Sequence, residues 1–299
     1  MPDAWTRRSS VERVPAADVV VDVPLVRRLL TEQHPDLAGL PLAIAAEGWD
    51  NVVLRLGTDL AVRVPRRVEA AALVLQEQRV LPELAKDLPV PIPAPVRIGR
   101  PGPTHPYGWS VVPWFDGRTA LEARVRDERL ALDVARFVRA LHRPDPSPPV
   151  NPVRGVPLAE RDGEVIRQRL TSDLLRDFRG LAAVWADALS APVHSDPAVR
   201  IHGDLHPANL IVQDRNLAAV IDFGDTTTGD PATDLAVAWL ALEAPGRRAF
   251  LAHLAPDRAA VRRARGWALV MATAFVTMSE PTSPMVPLGR SALAELLSE

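Results

Sequence analysis

Apolar residues follow two different periods in the first third of the chain. Over residues 22–33 they recur at helical spacing, which predicts an amphipathic helix. Short apolar runs of β type, each ended by glycine or proline, predict an antiparallel meander at 42–48, 51–57 and 59–65. Helical spacing returns over 68–85 and predicts a second helix.

A proline-rich segment follows at 89–106, where prolines alternate with apolar residues. Because proline cannot donate to a sheet ladder, this segment predicts an extended connector around an edge strand. The apolar run at 109–115 predicts one more strand, which ends near a proline and a glycine.

The second half of the chain has mainly helical patterns. These occupy 120–143 and 155–190, on either side of a second proline cluster at 143–152. We therefore predict an α+β protein with two lobes, a small antiparallel-sheet N-lobe over residues 1–112 and a larger, mainly helical C-lobe over residues 113–299.

One β-type block at 201–225 interrupts this helical half. Its two apolar strands flank turn residues, and a two-residue loop at Arg215 and Asn216 would set the register of a hairpin. In that register Asn209 and Asp222 face each other across the two strands. Their oxygens would then lie close together at the open end of the hairpin.

This pair of oxygens suits a hard cation such as Mg²⁺, which also keeps phosphates as ligands. Asp204 precedes Asn209 by five residues and would add a third oxygen-bearing side chain. Each residue alone has a plainer explanation as a turn cap or strand end. Their joint spacing and register favour the site.

A rival chemistry uses some of the same residues. His202, Asp204 and His206 alternate, as the ligands of a metal-dependent hydrolase could. The chain has only 7 histidines, and no second histidine cluster supplies another ligand. The hydrolase is therefore the weaker alternative.

Composition removes further classes. With 47% hydrophobic and 24% charged residues the chain is an ordinary globular sequence, and without cysteine it has no disulfide, thiolate zinc site or cysteine nucleophile. Lys86 is the single lysine, so arginine supplies nearly all the positive charge. The net charge of −2, without a basic stripe, argues against a nucleic-acid partner.

The length of the apolar runs predicts the cellular location of the protein. The longest of them, at 267–276, is far below the ~18 residues of a membrane span. Residues 1–15 have no apolar core of a signal peptide. We therefore expect a cytoplasmic protein without a membrane partner.

The ordered motifs resemble those of the aminoglycoside phosphotransferase family, which is itself similar to protein kinases. HGDLHPAN at 202–209 resembles the catalytic loop, and Asp222, Phe223 and Gly224 resemble the D-F-G motif, with intervals of 5 and 13 residues from Asp204 to Asn209 to Asp222. Further similar stretches are EGWDN (47–51), AVRVP (61–65), GWSVVPWFDG (108–117) and GDPATDLAVAW (229–239). The resemblance implies a protein-kinase-like fold.

The resemblance also implies roles in phosphoryl transfer from ATP or GTP. Asp204 would be the catalytic base toward a substrate hydroxyl, and Asn209 and Asp222 would hold Mg²⁺. His202 would be a buried scaffold of the loop. Asp234 would brace that loop through backbone hydrogen bonds, although a helix cap explains it equally well.

In the N-lobe the kinase pattern expects a lysine on the third strand, where this chain has Arg63. Arginine can still bind phosphate, and Glu77 would orient it, with Glu69 as a rival partner. EGWDN has one glycine, so Asn51 or nearby amides would cover the phosphates. The nucleobase would meet the carbonyl of Pro113 and the N–H of Phe115.

The acceptor implied by the resemblance is an aminoglycoside, modified in antibiotic resistance. Residues 157–196 hold seven acids and five arginines, which is only mildly favourable to a polycation. Asp225 and Glu280 are the better candidates for ammonium contacts. A macrolide, a peptide antibiotic, a metabolic amino alcohol or a sugar remain alternatives, as does a non-catalytic nucleotide-binding module. We expect a monomer.

Overall fold

The computed structural model of the protein describes residues 17–48, 50–145, 151–161 and 163–298. Some predictions therefore fall outside the described residues: those on the segment 1–15, on Trp49 of EGWDN, on most of the second proline cluster and on Asp162.

The N-lobe contains a five-stranded antiparallel sheet. In the chain, one helix precedes the first three strands and a second helix follows them. Helix α1 (Val23–Gln33) begins after Asp22, whose carboxylate accepts the N–H of Leu25 at 2.7 Å. The remaining elements are β1 (Leu42–Glu47), β2 (Asn51–Leu56), β3 (Leu60–Pro65), α2 (Val68–Leu84), β4 (Arg97–Gly99) and β5 (Trp109–Pro113). These bounds match the predicted ones closely.

The strand order β1-β2-β3-β5-β4 places β4 at an edge. This agrees with the prediction of an edge strand within the proline-rich segment 89–106. Prolines have no N–H that could bond to a second neighbouring strand. The predicted lobe boundary at residues 112 and 113 falls at the end of β5. It stays a prediction.

The C-lobe is mainly helical, as predicted. Its helices are α3 (Ala120–Ala123), α4 (Glu128–Leu141), α5 (Glu164–Leu170), α6 (Leu181–Leu189), α7 (Ala232–Leu235), α8 (Val237–Leu240), α9 (Ala244–Leu254), α10 (Arg258–Met278) and α11 (Met285–Leu297). Helix α10 packs on α6, α7 and α11, and its Trp267 is fully buried with Trp239 of α8. None of the described helices is long and apolar enough to cross a membrane.

The helical pattern over 155–190 is only partly helix. It forms 3-10 turns at Leu158–Arg161 and Asp173–Leu175, with the short helices α5 and α6 between and after them. Gly180 takes a φ of 104° before α6, which interrupts any continuous helix. Apolar periodicity did not reveal this backbone interruption.

The C-lobe also contains small strands: β6 (Arg118–Thr119), β7 (Val199–Ile201), β8 (Leu210–Gln213), β9 (Asn216–Val220) and β10 (Thr227–Gly229). Strands β8 and β9 form the predicted hairpin, with β6 beside β8. Strands β7 and β10 pair with each other, and in sequence they lie before and after the loop at 202–209 and the hairpin.

The predicted hairpin register was wrong by two residues next to the turn and by one residue beyond a β-bulge between Ile211 and Val212. The turn lies at Asp214 and Arg215, whose φ angles of 49° and 65° suit a tight hairpin loop, and Gln213 pairs with Asn216. Asn209 precedes β8 in a 3-10 turn, and its carbonyl accepts the N–H of Ile221 at 3.0 Å. Asp222 is therefore not directly opposite Asn209. The earlier turn shifts each pair by two residues, and the bulge between Ile211 and Val212 takes back one of them, so that Asn209 meets Ile221.

Candidate active site

His202 belongs to the buried base of the loop after β7. Its Nε2 lies 3.0 Å from the carbonyl of Ile221, and its Nδ1 accepts the N–H of Asp204 at 3.2 Å. The ring also packs on Phe223, with 4.5 Å between centroids. Both ring nitrogens therefore bind the backbone, which is unfavourable to the alternative of a histidine metal site. No group of three or more metal-binding acids or histidines occurs among the described residues.

Asp234 binds the backbone of this loop. Its fully buried carboxylate accepts the N–H groups of His202 at 2.8 Å and Gly203 at 2.9 Å, and His142 Nε2 lies 3.0 Å away. Burial alone would raise the pKa of Asp234, but His142, the charge interaction with His202 and the N–H of Gly203 lower it below the ordinary value. This is the bracing position expected for Asp234, and His142 is a partner that the sequence did not indicate.

Gly203 permits the turn between His202 and Asp204. Its φ is 87°, and a Cβ there would lie 2.4 Å from the backbone oxygen of Asp225. Only glycine fits such a conformation and such a close approach without strain. The loop and the residues after the D-F-G motif are thus packed directly against each other.

Asp204 presents an ionised carboxylate. Its Oδ1 accepts a hydrogen bond from Arg154 Nη2 at 3.0 Å, and its Oδ2 lies 3.3 Å from His206 Nε2. His206 Nδ1 accepts the N–H of Ala208, so its Nε2–H is the donor to Asp204 in the neutral ring. Burial would raise the pKa of Asp204, but the opposing effects of His206 and Arg154 hold it well below the ordinary range.

Asn209 and Asp222 both keep an oxygen that could meet a cation. Asn209 donates its amide to the backbone oxygen of Asp204 at 2.9 Å, which leaves its own Oδ1 as an acceptor. Asp222, with a φ of 63°, binds Arg63 through Oδ1, and its side chain is 53% exposed. An amide oxygen and a half-exposed carboxylate are a donor set that fits Mg²⁺ together with phosphate oxygens.

Arg63 connects the two lobes. It binds Glu77 of α2 through Nη1 and Asp222 through Nη2, the latter at 2.8 Å. Glu69, the rival partner, instead lies 3.1 Å from Arg67. Burial raises the pKa of Glu77, and Arg63 only partly offsets this. For Arg63 the two carboxylates outweigh burial and raise its pKa.

The remaining predicted nucleotide contacts lie around the sheet. Asn51 begins β2 and is buried, with no hydrogen-bond partner for Oδ1 among the described residues. Pro113 ends β5, and the next residue, Trp114, donates its N–H to the carbonyl of Asp59 at 2.8 Å. Phe115 follows in the chain segment that enters the C-lobe and is partly buried. Their nucleotide roles stay predictions.

The two acids predicted to bind an acceptor differ in their surroundings. Asp225 is already bonded to Arg154 Nε at 2.9 Å and to Asn151 Nδ2 at 3.1 Å. Glu280 is exposed just after α10. Sequence reasoning missed Arg154 and Asn151, because they lie at the edge of the second proline cluster, which looked like a connector.

Comparison with known proteins identifies the family. A model of the phosphotransferase enzyme family matches residues 42–269. Similar solved structures include the GDP complex of wild-type aminoglycoside 2′-phosphotransferase-IIIa, with 20% identity, a TM-score of 0.70 and coverage of 91% of this chain and 97% of that one. No curated protein matches the chain.

Two further structures have the same fold. The macrolide 2′-phosphotransferase MphH from Brachybacterium faecium is 21% identical, with a TM-score of 0.60 and coverage of 92% of this chain and 98% of that one. The streptomycin-ATP complex of APH(2″)-IIa is 19% identical, with a TM-score of 0.58 and coverage of 86% and 90%. The predicted α+β, protein-kinase-like fold is thereby confirmed. Since the matching family model covers most of the chain, this protein is an enzyme that belongs to the phosphotransferase family.

Proposed function

We propose that the enzyme transfers the γ-phosphoryl group of ATP or GTP to a hydroxyl of a small molecule, with Mg²⁺. The observation that carries this proposal is a chain of contacts. Asn209 donates to the backbone oxygen of Asp204 at 2.9 Å and accepts the N–H of the residue before Asp222, and Asp222 lies 2.8 Å from Arg63 of the N-lobe. Solved relatives in complex with GDP or ATP support a nucleotide as donor.

Asp204 would orient the acceptor hydroxyl and take its proton. Its pKa lies below the ordinary carboxylate value, so it is ionised at neutral pH and a weak base toward an unreacted alcohol. In a loose transition state the hydroxyl becomes acidic only as its oxygen bonds to phosphorus. The O–P bond to the leaving nucleoside diphosphate breaks as the new one forms, and the proton then moves to Asp204.

Asn209 and Asp222 would hold Mg²⁺ through their side-chain oxygens. The ion supplies positive charge that offsets the charge of the phosphates when it is bound. Arg63 would contact the phosphates from the N-lobe, and Glu77 keeps its guanidinium directed toward the cleft. Asn51, Pro113 and Phe115 are proposed to complete the nucleotide site.

The acceptor first expected is an aminoglycoside, and the similar structures include proteins that modify aminoglycosides and macrolides. A resistance role would follow from either. An aminoglycoside would need free carboxylates near Asp204, and Asp225 shares its charge with Arg154. This ion pair favours an acceptor that is not a polycation.

A nucleotide-consumption assay tests the reaction. We expect ATP or GTP consumption that requires Mg²⁺ and a hydroxylated acceptor, and a loss of about 10³-fold or more in Asp204→Asn. Asp214→Asn, an exposed aspartate in the hairpin turn, is the matched control and should keep full activity. Full activity in Asp204→Asn would contradict the mechanism. Nucleotide binding without transfer to any acceptor would favour the non-catalytic module.

A further inference from the structure

Arg154 binds Asp204, and two further arginines, Arg161 and Arg169, lie close enough to Arg154 for their charges to interact with it. Arg154 follows the second proline cluster, Arg161 ends the 3-10 turn Leu158–Arg161, and Arg169 lies in the last turn of α5. Cationic acceptors require the opposite charge. The partners of each arginine therefore bear on what the enzyme accepts.

Arg154 forms ion pairs with two carboxylates that would otherwise be available to the acceptor. Its guanidinium binds Asp204 at 3.0 Å and Asp225 at 2.9 Å, and its side chain is only 18% exposed. The two carboxylates outweigh burial and raise the pKa of Arg154, so it stays charged. The two acids nearest the reaction are therefore already partnered by a fixed cation.

Arg161 has no such partner in the part of the chain that the structure describes. Its Nε is buried and makes no hydrogen bond with any described residue. Burial lowers the pKa of Arg161, the charge of Arg154 lowers it further, and Asp225 opposes both. Arg161 therefore lies within electrostatic reach of the Arg154–Asp225 pair, with a buried donor left unsatisfied.

Arg169 also lacks a carboxylate among the described residues. Its contacts are the carbonyl of Val270 at 3.4 Å and the sulfur of Met278 at 2.8 Å, both on α10. Burial, followed by the charges of Arg161 and Arg154, lowers its pKa to about 10. A guanidinium so placed gains most from an incoming anion, because a carboxylate or phosphate matches its fork of donors.

We propose that the hydroxylated acceptor carries an anionic group, a carboxylate or a phosphate, and that Arg161 and Arg169 bind this group while Asp204 orients the hydroxyl. The inference rests on the proposed function and names its substrate class. A polycation would meet two arginines that have no carboxylate partner among the described residues, and two acids already shared with Arg154. An acid would supply the counterion that these two half-buried arginines lack among the described residues.

Matched acceptors test the charge preference. The purified enzyme, with ATP or GTP and Mg²⁺, is given sets that share a scaffold: galacturonate, galactose and galactosamine; gluconate, gluconamide and glucamine; glucose 6-phosphate, glucose and glucosamine. Kanamycin and erythromycin complete the panel, and phosphorylated product is measured by mass. We expect kcat/KM for an acid or a phosphate to exceed that of its amine by about tenfold or more. The first two sets contain a carboxylate and the third contains a phosphate, so comparison of their kcat/KM ratios shows which anionic group is preferred.

Variants assign the preference to the arginines. Arg161→Gln and Arg169→Gln should each raise KM for the anionic acceptor about tenfold or more, with little change in KM for the nucleotide. Arg167→Gln on the exposed surface of α5 is the matched control and should leave both constants unchanged. Thermal unfolding of each variant separates loss of binding from loss of folding.

Two results would overturn the proposal in different ways. Transfer to an amine, kanamycin or a neutral acceptor as efficiently as to the matched acid, or anionic turnover indifferent to Arg161 and Arg169, would refute the anionic acceptor and leave the phosphotransfer intact. Absence of transfer to every member of the panel, with nucleotide still bound, would count against the proposed function and remove the basis of the inference.

Discussion

The Nη2 atom of Arg63 in β3 lies 2.8 Å from Oδ1 of Asp222, although 159 residues separate them. A cation of the N-lobe is thereby joined to the C-lobe carboxylate that we propose as a Mg²⁺ ligand. Glu77 holds the other side of the same guanidinium. The ion pair of the N-lobe thus positions a guanidinium that contacts Asp222 and that we propose to bind the phosphates.

Removal of Arg63 should destabilise the protein as well as weaken nucleotide binding. Arg63→Met leaves Glu77, whose side chain is 5% exposed, without its partner, and we expect a loss of about 3–5 kcal/mol in the free energy of unfolding. Urea unfolding measures this loss. The double variant Arg63→Met with Glu77→Gln should recover much of it, because no buried charge is left unpaired.

The neighbouring strand offers a matched control for that experiment. Arg55→Met removes an arginine whose side chain is 42% exposed and lies 3.5 Å from Asp116, and the loss in the free energy of unfolding should be under about 1 kcal/mol. Equal effects of the two substitutions, or no recovery in the double variant, would contradict a buried pair at Arg63 and Glu77.

Asp234 should stabilise the protein in a pH-dependent way. Its pKa is lowered in the folded state, so its contribution is complete above the ordinary carboxylate pKa and declines as pH falls toward the folded-state value. Asp234→Asn should cost about 3 kcal/mol at about pH 7 and less at about pH 4. Urea unfolding at both pH values checks this. A difference that grows as pH falls would reverse the predicted sign.

A side chain at position 203 should destabilise the protein and lower its activity. Gly203→Ala forces an alanine to a φ of 87° and a Cβ 2.4 Å from the backbone oxygen of Asp225, so we expect about 1–3 kcal/mol of destabilisation and a lower kcat. Gly102→Ala is the control, since a Cβ there meets no atom within 4 Å. Thermal unfolding and turnover of the two variants give the comparison. Indistinguishable variants would show that the loop does not need this conformation.

The acid limb of activity should depend on Arg154. In the wild type the low pKa of Asp204 keeps this carboxylate ionised through the ordinary range, so its protonation should not lower kcat/KM between about pH 5 and pH 7. Arg154→Met removes one of the charges that lower this pKa. An acid limb should then move to higher pH, measured as kcat/KM against pH. A profile that Arg154→Met leaves in place would show that another group controls it.

Local sequence patterns predicted much of this structure. Short apolar runs ended by glycine or proline predicted the N-lobe strands, because these two residues interrupt a strand. The motif spacing from Asp204 to Asn209 to Asp222 indicated the family. The expected pairing of Arg63 with Glu77 also lies within one lobe, between a strand and the helix that follows it.

Tertiary structure alone decided the features that depend on distant residues or backbone conformation. The hairpin turn lies at Asp214 and Arg215, one residue before the predicted loop, since both residues take positive φ angles that periodicity does not report. Arg154 reaches Asp204 across 50 residues, and no local pattern marks an arginine beside a proline cluster as its partner. Sequence thus determined which groups could perform phosphoryl transfer, whereas folding decided which charges surround them, because charge pairing depends on three-dimensional distance and burial.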